Sequence, residues 1–293
     1  MFEPFNFEFF RNAVVAATLV GALCGLVGVY IVLRKMSYIG HGLSHAVFGG
    51  AVVSYVMSVN FYIGASLWGF LSAILIQLTT RRRSISADAA IGIVTTASFA
   101  VGIALISRYK SFTRSFDAAL FGSVLGVTPG DLFAIIFVTV CVAVAVVAGY
   151  KYLLFTTFDP DAARTYGVPV GWVDAFFALV LAATVVVSMQ VIGVTMLAAA
   201  IVIPPVIARQ LTNSFGRVMA LSTAVGAVCG FAGVYVSYYA DISSGAAVVL
   251  VSAALFVLLM AYTSARRYLA DARARAGRMA PGEDTTRFGQ KSL

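Results

Sequence analysis

Apolar residues along this chain run in long stretches, each closed by a short cluster of basic or turn-forming residues. About 20 predominantly apolar residues suffice to cross a bilayer. The first such stretch is Asn12 to Leu33, ended by Arg34 and Lys35. Its Gly21, Gly25 and Gly28 are spaced for close helix–helix approach. Met36 to Thr80 contains no Asp, Glu, Lys or Arg and is too long for one crossing. A break at Asn60 to Gly64 predicts spans over 41–59 and 64–80, and Arg81, Arg82 and Arg83 follow. Ala89 to Ser107, Leu132 to Tyr150, Val218 to Ala240 and Ala246 to Ser264 read as further spans. Ala175 to Ala208 is uncharged, too long for one crossing and short for two. With Gly193 as a bend and Pro204 and Pro205 as breakers, it predicts a pair of short or interrupted helices. The pattern predicts an all-α membrane protein, a polytopic bundle of eight or nine spans.

Composition agrees: 61% of the 293 residues are hydrophobic and 11% charged, against about 25% charged in a soluble domain. The net charge of +8 gathers in short segments between the apolar runs. That is the pattern of membrane topology, with Lys and Arg kept on the cytoplasmic side, and it offers no single basic face for nucleic acid. It puts Arg34–Lys35, Arg81–Arg83, the 151–172 connection and Arg209–Arg217 in the cytoplasm. The chain then divides into a transmembrane region, 1–265, and a basic cytoplasmic tail, 266–293, expected to be disordered beyond about Gly277. The connection 108–130 falls outside by parity although it carries Arg108, Lys110 and Arg114 beside Asp117. The first run starts after an acidic, aromatic stretch, as a retained span does, not a cleaved signal. Cys24, Cys141 and Cys229 lie singly in apolar runs and read as small buried hydrophobes.

The only two histidines are His41 and His45. Four apart, they share one helix face, roughly 9–15 Å of rise beyond Arg34 and Lys35. Imidazole is a common metal ligand, and polar groups at that depth are expensive and functional by default. Interhelical hydrogen bonding is the alternative. Gly40, Gly42 and Ser44 around them let a helix or a cation approach. Protonation of the pair would oppose a cation, so transport is expected to fall as pH drops through the imidazole range. Asp88 reads as a helix cap, Asp117 as a rim residue, and Asp241 as turn chemistry. Gln190, Ser188 and Thr195 are expected to bond between helices. Asp159 before Pro160 predicts the cap of a short helix in the 151–172 connection. No GxxxxGK[ST], GxSxG or HExxH motif is present. If the protein pumps anything, the energy would therefore enter from another subunit. A stand-alone cation channel or secondary carrier keeps the histidine pair without that partner, and a membrane metalloenzyme would lack a third ligand.

Several ordered blocks extend this reading. They are Leu33-Arg34-Lys35-Met36-Ser37-Tyr38-Ile39-Gly40-His41-Gly42-Leu43-Ser44-His45-Ala46-Val47, then Asp88 to Ile93, Leu120 to Gly126, Phe158 to Arg164 with Gly167, Ile203-Pro204-Pro205, and Ser237-Tyr238-Tyr239 with Ser244-Gly245. From about 12 to 264 the chain resembles the permease subunits of bacterial ABC importers for manganese, zinc and iron, similar in architecture to vitamin B12 importer permeases. The resemblance implies a homodimer in the inner (cytoplasmic) membrane with a cytoplasmic C-terminus. Two ATP-binding subunits would drive it and an extracellular metal-binding protein would deliver the ion. The chain itself would hold no cofactor: ATP would sit on the partner, and the transported metal would be manganese or zinc, with iron behind them. The resemblance maps metal contact onto His41 and His45, and ATPase docking onto Asp159, Pro160, Asp161, Arg164 and Gly167. Many members carry Asp where this chain has His41, so its ligand set is softer and suits manganese less.

Overall fold

The computed structural model describes residues 3–80, 86–109 and 120–279. Among these every regular element is helical: α1 (Glu8–Leu33), α2 (Ser37–Val56), α3 (Phe61–Thr80), α4 (Ala87–Arg108), α5 (Pro129–Ala148), α6 (Tyr150–Phe158), α7 (Pro160–Thr165), α8 (Val170–Ile192), α9 (Leu197–Leu211), α10 (Phe215–Ala240) and α11 (Ser244–Met279). Single 3₁₀ turns cover Glu3–Asn6 and Val124–Gly126. Among the described residues seven helices are long and apolar enough to cross a membrane: α1, α3, α4, α5, α8, α10 and α11. α2 is 20 residues long, and its histidines, glycines and serines leave it below that level of hydropathy. α9, at 15 residues, is short.

The chain divides into Met1–Ala253 and Ala254–Leu293. In the first unit α1 and α8 are the most buried long helices, while α5 turns most of its surface outward. Between lipid-immersed helices no hydrophobic force acts, so association rests on close packing and hydrogen bonds. α1 lies chiefly against α10. A Cβ on Gly21 would strike the Gly226 backbone, and one on Gly25 the Ser222 carbonyl, which side chains on those glycines would hold apart. Ser222 Oγ donates to the Gly25 carbonyl at 2.6 Å. The expected role of the α1 glycines is therefore met. In the second unit the described residues continue as helix to Met279, with the Arg266 guanidinium 5.8 Å from the Tyr262 ring centre. The expected tail at 266–293 is thus helical as far as it is described, and 280–293 lie outside the described residues.

Five local expectations are corrected. The break between α2 and α3 falls at Met57–Asn60, because Ser58 takes a left-handed φ of 55° and Asn60 Oδ1 accepts the Tyr62 N–H. Pro204 and Pro205 lie inside α9 and do not end it. Proline lacks the N–H that would bond the carbonyl four residues back. For Pro205 that carbonyl belongs to Ile201, the atom a Cβ on Gly28 would strike, so α1 packs on the exposed carbonyl. The 151–172 connection is largely helical, since α6 follows α5 with only Gly149 between them. α4 is capped by Ser86, whose side chain accepts the Ala89 N–H, and Asp88 sits in the first turn. Cys141 is exposed on α5, whose outer face is apolar, whereas Cys24 and Cys229 are buried as expected.

Candidate functional site

α2 starts three residues after Arg34, past Lys35 in a left-handed turn (φ 57°). His41 follows one turn into the helix and His45 a turn later, as their spacing requires. Their ring centroids lie 4.6 Å apart, with planes crossed at 78°. His45 also meets the Phe99 ring of α4 edge-on at 4.9 Å, and His41 lies 6.1 Å from the Tyr38 ring. Both imidazoles line a cavity of about 210 Å³ with Tyr38, Gly42, Thr95, Thr96 and Phe99. Gly42 lets α4 this close, because a Cβ there would come within 2.6 Å of the Ile91 side chain. The Thr95 and Ser44 hydroxyls donate back to Ile91 and Gly40 carbonyls of their own helices, at 2.7 and 2.6 Å. His45 Nδ1 is buried with no hydrogen-bond partner. A buried imidazole nitrogen left without a partner is costly unless something visits it. Among the described residues no three His, Cys, Asp or Glu side chains gather in one place, so the pair stands as two donors.

The short helix expected after Asp159 is present as α7. Asp159 caps α7 by accepting the Ala162 N–H at 2.8 Å, Pro160 opens the helix, and Gly167 closes it with φ +80°. Asp161 and Arg164 pair at 2.8 Å one turn apart, with side chains 88% and 64% exposed. Beside this segment, Trp172 is 79% exposed on a groove of about 410 Å³ that it shares with Tyr152, Pro169 and Phe176.

Two polar clusters escaped the sequence reading. Arg34 reaches Asp174 at the start of α8 and Thr156 and Thr157 at the end of α6. At the other end of α8, the Tyr62 hydroxyl lies 2.8 Å from both Asp131 Oδ1 and Gln190 Oε1. One hydroxyl proton cannot serve two acceptors. With the carboxylate taking it, the Gln190 amide turns its NH₂ toward the tyrosine oxygen. Asp131 closes a capping box with Thr128. Two of the expected interhelical bonds are present, Gln190 to α3 and Ser188 Oγ 3.5 Å from Cys24 Sγ, whereas Thr195 lies in the turn between α8 and α9 and donates to the Leu120 carbonyl at 2.8 Å. Asp241 holds a left-handed turn after α10, as expected of turn chemistry. Gly193, at φ +83°, separates α8 from α9, with the Gly122 backbone where its Cβ would be. Asp117 lies outside the described residues.

Residues 6–263 match the ABC 3 transport family. The chain belongs to that family. The manganese transport system membrane protein MntC of Halalkalibacterium halodurans is 35% identical over 86% of this chain and 87% of its own length. A probable iron transport system membrane protein of Haemophilus influenzae is 32% identical over 91% and 98%. PsaBC from Streptococcus pneumoniae, solved in complex with Fab, superposes with a TM-score of 0.79 at 33% identity, covering 86% of this chain and 91% of that one. An inward-facing putative metal-chelate type ABC transporter gives a TM-score of 0.69 at 18% identity, which speaks for the fold alone. As an ABC 3 family member the chain is a multi-pass permease component.

Proposed function

We propose that His41 and His45 are transient ligands, or a gate, on a cation path that two copies of this chain enclose. The chain is the transmembrane permease component of a divalent-metal ABC importer. One observation carries the ligand role: two imidazoles line one cavity, and His45 Nδ1 is buried there without a partner. A second copy would bring two more imidazoles to the axis. Weak, shared ligation suits passage, since a closed high-affinity site would hold the ion. The manganese and iron names of the relatives, with nitrogen donors in place of a carboxylate, leave manganese or zinc as the cargo, with iron behind them. α7, with Asp159, Pro160, Asp161, Arg164 and Gly167, would seat on an ATP-binding subunit. An extracellular binding protein would deliver the ion, and the complex would lie in the bacterial cytoplasmic membrane with the C-terminus inside. Counting α2 gives eight crossings and counting α9 gives nine, in the manner of vitamin B12 importer permeases.

The test is uptake of manganese, zinc and iron, each alone, by vesicles holding this chain, its ATPase and its binding protein. A His41→Ala, His45→Ala double variant should assemble and lose uptake of the cargo metal. Unchanged uptake in that variant removes the ligand role.

A further inference from the structure

We infer that Arg34 is a positioning residue that ties the ATPase-docking segment to the helix bearing the histidine pair; this rests on the permease reading above. All three guanidinium nitrogens are used. Nε donates to Thr157 Oγ1 at 3.0 Å, Nη2 to Thr156 Oγ1 at 2.8 Å, and Nη1 to Asp174 Oδ1 at 2.8 Å. The guanidinium carbon lies 4.8 Å from the Phe177 ring centre. The planar fork thus joins the end of α1, the last turn of α6 and the N-terminal part of α8.

Burial separates this pair from an ordinary surface one. The Arg34 side chain is 9% exposed and Asp174 42%, whereas Arg164 and Asp161 on α7 stand in the open. A desolvated guanidinium is held by geometry, and removing one of its partners leaves charge unmatched. The two threonines are themselves fixed: Thr156 donates to the Tyr152 carbonyl at 2.9 Å, and Thr157 to that of Leu153. Their protons serve their own helix and their lone pairs face Arg34. Lys35, next in the chain, is exposed.

Position along the chain gives the clamp its meaning. Thr157 stands two residues before the Asp159 cap of α7. Arg34 stands three residues before α2, joined to it by the left-handed Lys35 and by Met36, whose N–H bonds the Ile31 carbonyl. Displacement of α7 by a moving ATPase therefore reaches α2 through one side chain. A packed network with two discrete arrangements is what coupling between distant sites requires.

The experiment compares wild type with Arg34→Gln, Asp174→Asn, a Thr156→Val, Thr157→Val double variant and Arg34→Lys. In vesicles with the ATPase and binding protein, metal uptake and ATP hydrolysis are measured together. In the first three, metal moved per ATP should fall about tenfold, within the usual range of coupling energies. ATP hydrolysis should stay within about twofold, and the ATPase should still co-purify. Arg34→Lys should fall between, since an ammonium keeps the charge and loses the fork. An unchanged ratio overturns the clamp, and so does a parallel fall of uptake, hydrolysis and folded yield. A wild-type complex that neither binds an ATPase nor transports defeats the permease reading instead. Hydrogen exchange in the permease alone then decides the clamp. Faster exchange in both 36–45 and 150–165 on Arg34→Gln supports it, and a change confined to one segment overturns it.

Discussion

Along α1 and α10, Gly21, Gly25 and Gly230 set backbone against backbone, with Gly226, Ser222 and Ala17 opposite. Along α2 and α4 the same device recurs, with Gly42 against Ile91 and Thr95, and Gly49 against the Ser98 carbonyl. In the second seam the residue between the two glycines on that face is His45. Its imidazole and that of His41 line a cavity of about 210 Å³. Glycine brings both helix pairs to close range; what differs is whether the stripe is continuous. A continuous stripe closes the seam, and an interrupted one leaves polar atoms lining a cavity.

The comparison can be broken most sharply at the closed seam. Gly226→Leu would drive a branched side chain into the Gly21 carbonyl, and no flexible neighbour can yield. Folded permease should be lost, read as a vanishing monodisperse peak in detergent; a normal peak would show that the seam tolerates opening. Gly42→Ala acts on the interrupted seam, where the Cβ meets the Ile91 and Thr95 side chains and not backbone. Overpacking of this kind costs about 1–3 kcal/mol, so a lowered melting temperature with reduced but measurable uptake is expected. Ser222→Ala removes the bond to the Gly25 carbonyl, worth about 1 kcal/mol, and should lower the melting temperature slightly with uptake intact. Gly92→Ala should do least, since a Cβ there meets nothing within 4 Å of this chain. Helix propensity alone would favour it by about 0.5–1 kcal/mol. Loss of uptake in that variant would mean that a second copy covers this face of α4.

The parts legible in the sequence were those set by local pattern. Long apolar runs gave the spans, the four-residue spacing put His41 and His45 on one face, and Asp159-Pro160 announced the cap of α7. The α1 glycines betrayed a close seam but could not name its partner. What stayed hidden depends on distant partners. Asp174 draws no role from the sequence pattern, and gains one only when Arg34, 140 positions earlier, is placed beside it. Tyr62, Asp131 and Gln190 come from three helices; Gln190 stood out as a polar residue within an apolar run, but its partners did not. Pro204 and Pro205 read as breakers because the cost of a freed carbonyl is local, while the glycine of α1 that accepts it lies elsewhere in the chain.

Trp68 and Trp172 are the only tryptophans, and they occupy opposite surroundings. The first is wedged against Gly50 with its indole nitrogen buried, and the second stands almost bare beside α7. The molecule thus carries its own pair of optical reporters. Emission from Trp68 should respond less to quenchers than that from Trp172, which should respond to brominated lipid or to a protein surface arriving at the groove. Arrival of an ATPase could be timed with no label added.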